Sequence, residues 1–347
     1  MAHDRLLHHT ASSAMTGLKI SVLAPPKAQR MADIAVRELG ARGHRVTVYA
    51  SGAAFASDVA GRTATELILA MPAITVEPGY LEGAANLRAL VSMVIGTDHF
   101  AIEDATERGL IVAYAHAEEN DVSMAEATVM LMLASLYDFN TSQAMMSDPA
   151  AGALRNARML SGKTVGLIGF GRIGQTVARL LAPWQVSLVA AIRHPRPLPE
   201  GVRELSLDAL ISCSDVIAVL VDLDASTRGL IDERRLRLMK EEVVLVNTAR
   251  GPIIDEDALV RLLRERPRMR AALDVFAALP LAADHPLRRY PNVILTPHVV
   301  GHTRETTAAL ACAMVENVDC LSRGEPPLHV RNPAMIEGWR ARWSPTT

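Results

Sequence analysis

Short runs of branched aliphatic residues alternate with helix-patterned segments along this chain, and the alternation runs twice. The first series reads KISVLA, RVTVY, ELILA, ALVSM and IVA from Lys19 onward, with a helical stretch, RMADIAVRELGARG, after its first run. The second reads KTVGLIGF, VSLVAAI, DVIAVLV, EVVLVN, RMRAALDV and NVILTP. Strands separated by crossover helices lie side by side in the same direction rather than folding back as hairpins. Each series therefore predicts a parallel sheet covered on both faces, and together they predict two doubly wound α/β domains. Between them, residues 121 to about 146 are apolar on nearly every side, which predicts one long buried connecting helix followed by a loop at SDPAAG. Residues 303–322 predict a further helix, expected to return to the first domain because the second series already looks complete. The expected division is a lead-in over residues 1–18, one domain over 19–125 plus 304–347, and another over 126–303.

The 347 residues, half of them apolar, suffice for two separate cores. A formal net charge of -2 and 4% aromatic residues, with no basic block, leave no electrostatic or stacking footprint for nucleic acid. Cys213, Cys312 and Cys320 form no CxxC pair, which argues against a disulfide framework or a zinc site, so no metal is expected. The opening MAHDRLLHHTASSAMTG lacks the apolar stretch of a signal peptide, and no segment approaches the roughly 18 apolar residues of a membrane span. It reads as a solvated tail in which His8 and His9 would meet metal only adventitiously. A cytoplasmic protein without membrane or nucleic-acid partners is expected.

GLIGFGRIG places Gly169, Gly171 and Gly174 directly after a strand and at the start of a helix. Glycine there permits the tight turn, close backbone approach to a pyrophosphate, and close helix–strand packing, while the helix N-terminus favours the anion. Gly169, Gly171, Arg172, Ile173 and Gly174 are thus the candidate dinucleotide loop. The acid that usually ends the next strand and holds the ribose hydroxyls of NAD is absent: Ile192 stands there, followed by RHPRP. Arg193 and Arg196 instead occupy the place of a 2'-phosphate, and guanidinium suits bidentate phosphate recognition. NADP(H) is therefore the expected cofactor, with NAD(H) tolerated.

With these residues in view, the chain resembles the D-2-hydroxyacid dehydrogenase family, which includes phosphoglycerate dehydrogenases, glyoxylate/hydroxypyruvate reductases and NAD-dependent formate dehydrogenases. The resemblance covers residues 60–332 through IGTDHF, NDVSMAEA, GFGRIG, NTARGPIIDEDAL, ALDVF and LTPHVVGHT, in the family's order. RHPRP looks most like the NADPH-using glyoxylate/hydroxypyruvate reductases, whereas IGTDHF and Asn120 also resemble formate dehydrogenases. The resemblance implies a flavodoxin-like substrate domain, a Rossmann NAD(P)-binding domain and a homodimer. It implies that Arg250 is the catalytic arginine and His298 the acid/base, that Thr248 and Asp274 contact the cofactor, and that Ile95, Gly96, Asn120 and Met71 line the substrate.

These roles are chemically coherent. A guanidinium at a strand's C-terminal end can polarise a keto oxygen while pairing with a carboxylate, and an imidazole can give the new alkoxide its proton. Met71 stands where phosphoglycerate dehydrogenases often carry an arginine, which disfavours a phosphorylated substrate. Leu279 stands where most of the family has a glutamate bonded to the catalytic histidine. A carboxylate would fix the imidazole tautomer and favour its charged form; unless Asp284 or a water takes its place, loss of the charged form alone predicts keto-acid reduction slowed about 4- to 30-fold, and a mis-set tautomer adds a larger loss. The leading expectation is an NAD(P)-dependent reductase/dehydrogenase of a small unphosphorylated 2-keto/2-hydroxy acid such as glyoxylate or hydroxypyruvate. The alternatives are oxidation of a formate-type acid, which needs no proton transfer, and a dinucleotide-sensing binding protein.

Overall fold

The computed structural model describes residues 17–344, so the tail histidines and most of the expected lead-in lie outside the described residues. Leu18, assigned to that lead-in, is fully buried and starts the first core. The chain forms two compact units: one comprises the residues up to Asn120 and those from Thr303 onward, the other Asp121–His302. The changes of unit fall at 120/121 and 302/303, against an expected 125/126 and 303/304. Ser123 donates to the Gly301 carbonyl at 2.9 Å and Gly301 packs on Met124, so both ends of the second unit are fastened together there.

The first unit holds β1 (Lys19–Leu23), β2 (Arg45–Tyr49), β3 (Leu67–Ala70), β4 (Ala89–Ser92) and β5 (Ile111–Tyr114). All are parallel, in the order β2-β1-β3-β4-β5. α1 (Gln29–Ala41), α2 (Gly52–Ser57), α3 (Val59–Ala64) and α4 (Ile102–Glu107) lie in the connections. The outward order from β1 follows the doubly wound pattern, and the central strands β3 and β4 are buried at every position.

The connector begins as α5 (Glu118–Leu136) but does not run on to residue 146. Asp138 takes a left-handed conformation at φ 55°, and the chain restarts as α6 (Phe139–Ala144). The break has a polar cause that periodicity could not show. The buried Asp138 carboxylate receives two 2.6 Å hydrogen bonds from Arg270 and one from the Asn156 amide at 3.0 Å. An aspartate tolerates this left-handed backbone better than the bulky Tyr137 and Phe139 on either side of it.

β6 (Thr164–Ile168), α7 (Arg172–Leu181), β7 (Ser187–Ala191), β8 (Val202–Glu204) and α8 (Leu207–Cys213) follow. Then come β9 (Val216–Val219), α9 (Glu233–Leu238), β10 (Val244–Asn247), α10 (Glu256–Glu265), β11 (Arg270–Leu273) and β12 (Val293–Leu295). The sheet is parallel throughout, in the order β12-β11-β10-β9-β6-β7-β8. The short strand VRE of β8 adds a polar edge to this series, with no apolar run to announce it in the sequence.

The chain ends with α11 (Arg304–Ser322) and α12 (Ile336–Trp343). Met314, Val315, Val318 and Leu321 of α11 join the core built on β1, β3, β4 and β5. Trp339 of α12 is buried in the same core, and its indole donates to the Arg88 carbonyl at 2.8 Å. No described helix is long and apolar enough to cross a membrane.

Candidate functional site

The register of the second sheet aligns its chemistry. Ala191, Ile168, Val219, Asn247, Leu273 and Leu295 form one row across six neighbouring strands. Gly169, Arg250, Asp274 and His298 lie one, three, one and three residues beyond that row, at the C-terminal edge where open α/β sheets bind ligands. The glycine loop follows β6, at the point where the strand order reverses from β9 to β7.

The three glycines have separate jobs. Gly169 turns at φ +96°, and a Cβ there would sit 2.6 Å from the Leu220 carbonyl oxygen. A Cβ on Gly174 would come 2.8 Å from the Gly169 carbonyl, so its absence lets α7 press onto the turn. Gly171 is exposed, and a Cβ there would meet no protein atom within 4 Å. It is the N-cap of α7 and supplies no side-chain cap, which leaves the helix's first amides for an anion. Arg172 beside it is exposed, whereas Ile173 packs against the core. This cradle fits a pyrophosphate.

Arg250 is positioned by residues that the sequence reading passed over. Asn247, almost fully buried, donates to the Arg250 carbonyl at 3.0 Å and accepts from the Ala249 amide at 3.1 Å. Gly251 packs directly on the Phe276 backbone, with no room for a Cβ, which docks the NTARG loop against the ALDVF segment. The half-buried Arg250 guanidinium donates to the Ala249 carbonyl at 2.8 Å. Thr248 is buried and bonded to Thr128 at 3.0 Å, so its hydroxyl ties β10 to α5.

Asp274 is buried between the other two chemical groups. Its Oδ1 accepts from the Thr296 hydroxyl at 2.6 Å, the Val299 amide at 3.0 Å and the Val300 amide at 3.3 Å. Oδ2 has no hydrogen-bond partner among the described residues. Gathering both sides of residue 298 onto one oxygen bends the chain, and His298 adopts φ 58°, an uncommon conformation for a side-chain-bearing residue. Asp274 thus has a definite structural role, as the clamp on the loop that carries His298. His302 is exposed, and Thr303 caps α11.

Leu279 is 48% exposed. Asp284 is exposed, and Glu256 accepts from the Ala277 amide at 3.1 Å and faces His285 at 3.3 Å. Arg193 is committed rather than waiting: its Nη1 bonds Asp224 at 2.8 Å and Ser226 at 2.6 Å. Ser226 and then Arg193 hold the Asp224 carboxyl well below the usual carboxylate range. Arg196 makes no ion pair among the described residues and lies over the Phe170 ring of the glycine loop, 5.9 Å from its centroid.

In the first unit, Met71 follows β3 and Ile95 and Gly96 follow β4, again at the C-terminal edge. Ser92 donates to the Gly96 carbonyl at 2.6 Å and curls the loop back on its strand. The amides of Ile95 and Gly96 donate to no other described residue. Arg331 fastens the loop by donating to Thr97 at 3.1 Å. Asn120 is half-buried near the start of α5. Met71, Ile95, Gly96 and Asn120 thus belong to the first unit, whose first segment ends at Asn120, whereas the strands that precede Arg250, Asp274 and His298 pair with one another in the second.

Residues 129–300 match the family model for the D-isomer specific 2-hydroxyacid dehydrogenase NAD binding domain. A glyoxylate reductase of Thermofilum pendens is 34% identical over 271 residues, 76% of this chain and 80% of the relative. A D-3-phosphoglycerate dehydrogenase of Archaeoglobus fulgidus is 33% identical over 278 residues, 78% of this chain and 52% of the relative. Among solved structures, an NAD-dependent formate dehydrogenase from Staphylococcus aureus in complex with NAD superposes with a TM-score of 0.79 at 29% identity, covering 89% of this chain and 97% of that one.

Proposed function

Because the chain belongs to the D-isomer specific 2-hydroxyacid dehydrogenase family, we propose that it interconverts a small unphosphorylated 2-keto acid, of the glyoxylate or hydroxypyruvate kind, and its 2-hydroxy acid. The observation that carries this reading is the row of strand ends from which Arg250, Asp274 and His298 project at one edge of the sheet. The glyoxylate reductase similarity at 34% identity supports the substrate class, as does Met71 in place of a phosphate-binding cation.

A bound nicotinamide dinucleotide supplies or accepts the hydride. Gly169, Gly171, Arg172, Ile173 and Gly174 would hold its pyrophosphate, and Thr248 and Asp274 would contact the rest of the cofactor, Asp274 through the Oδ2 that bonds no described residue. Arg250 polarises the keto oxygen and steadies the negative charge that develops on it. His298 donates a proton to that oxygen in reduction and takes it back in oxidation. The Ile95 and Gly96 amides receive the substrate carboxylate, with Asn120 and Met71 lining the substrate. NADP(H) is the preferred cofactor, through Arg193 and Arg196, with NAD(H) accepted. The protein works as a cytoplasmic homodimer.

The test is steady-state reduction of a keto-acid panel with NADPH and NADH from pH 5 to 8. Glyoxylate or hydroxypyruvate turnover should rise toward low pH and favour NADPH, and Arg250→Ala or His298→Ala should each lower kcat/KM by about 100-fold or more. Leu279→Glu places a carboxylate where most of the family has one and should raise activity near neutral pH; an unchanged pH-rate profile would mean that His298 already has another partner or is not the acid. Cofactor binding without turnover of any acid in the panel would refute the assignment.

A further inference from the structure

We propose that Asp224 is a specificity-determining residue that competes with the cofactor's 2'-phosphate for Arg193 and so keeps the site open to both NADPH and NADH. The inference rests on the assignment of Arg193 to the 2'-phosphate. It adds a carboxylate from a different connection, the segment after β9.

Asp224 does not meet Arg193 by chance of side-chain rotation. Its Oδ1 accepts from the Ser226 amide at 2.8 Å, the Ser226 hydroxyl at 2.6 Å and the Thr227 amide at 3.1 Å. Thr227 in turn donates to the Asp222 carbonyl at 2.7 Å and accepts from the Asp224 amide at 2.8 Å. This self-bonded turn fixes the carboxylate and leaves Oδ2 to take Arg193 Nη1 at 2.8 Å, beside the 2.6 Å contact with Ser226 Oγ. The pair stands just past the ends of β7 and β9, the strands on either side of β6 and its glycine loop.

A phosphate dianion is the stronger partner for guanidinium, but to reach Arg193 it must share or displace a fixed negative charge. Arg193 is 57% exposed and Asp224 40%, so the pair is solvent-screened and weak enough to be displaced. NADH brings no second anion and leaves the pair intact. Arg196, over Phe170 and without an ion pair among the described residues, is the cation available to either cofactor. The result is a preference for NADPH that the protein itself limits.

The experiment measures Kd for NADPH and NADH by cofactor fluorescence in the wild type, Asp224→Asn, Arg193→Ala and Ser226→Ala, with thermal unfolding alongside. Asparagine keeps an acceptor for the turn amides and removes the charge. Asp224→Asn should raise the ratio Kd(NADH)/Kd(NADPH) about 5-fold, the size of one exposed ion pair. Arg193→Ala should lower the same ratio by a similar factor. Ser226→Ala, which loosens Asp224 while keeping its charge, should shift the ratio in the Asp224→Asn direction by a smaller factor. An unchanged or lower ratio in Asp224→Asn, with Arg193→Ala behaving as stated, overturns the competition alone. If Arg193→Ala leaves the ratio unmoved, the 2'-phosphate assignment fails with it.

Discussion

A methyl group on residue 251 would overlap the peptide carbonyl of Phe276, so Gly251→Ala has to push the NTARG loop away from the ALDVF segment. We expect a loss of about 2–4 kcal/mol in stability, as for other overpacked backbone contacts, and a fall in kcat of at least about 10-fold because Arg250 moves with the loop. Gly171→Ala is the control. Its Cβ meets no protein atom, so thermal stability should stay near that of the wild type while cofactor KM rises. Differential scanning calorimetry with cofactor titrations separates the two; equal melting shifts would contradict the assignment of Gly171's open space to the cofactor. Sequence reading found Gly169, Gly171 and Gly174 because their spacing follows a strand. It missed Asn247 and Gly251, whose importance comes from contacts: one staples a turn, the other yields to a backbone 25 residues away.

At the scale of elements, the junction of α5 with α6 depends on Asp138 and Arg270, both buried. Burial alone would raise the Asp138 pKa, but hydrogen bonds from Arg270 and the Asn156 amide overcome it and hold the carboxyl below its usual range. A depressed folded-state pKa contributes stability that is fully present above the unfolded carboxylate value and is lost as pH falls through the folded one. Arg270→Leu strands a buried charge and should cost about 3–5 kcal/mol at pH 7. Its deficit relative to the wild type should narrow as pH falls from 7, because Asp138 without Arg270 is left with the burial that raises its pKa and takes up a proton before the paired wild-type carboxyl does. Urea denaturation from pH 7 downward measures it, and a deficit independent of pH would mean that shape rather than charge holds the junction. Apolar periodicity predicted one helix here because the residues on both sides of Asp138 keep the same pattern; the acid's partner lies 132 residues away, on β11.

For the molecule as a whole, Met130, Tyr137, Phe139, Met145 and Met146 are exposed along α5, α6 and the turn that follows. Large apolar side chains left open on a connector predict that a second copy covers them. Light scattering should give twice the 37.4 kDa of one chain, and Tyr137→Glu with Phe139→Glu should move the mass towards one chain. A wild-type monomer at micromolar concentration would remove the dimer from the proposal. By itself the sequence determined two parallel sheets and the loops that carry glycine and arginine, because strand runs, crossovers and a strand–glycine–helix spacing are local patterns. Only the tertiary structure decided that Asp138 breaks the connector, that Asp274 bends the loop of His298, and that Asp224 holds Arg193. Each of those depends on a buried or fixed carboxylate finding a partner from another element, and hydrogen-bond geometry of that kind leaves no period in the chain.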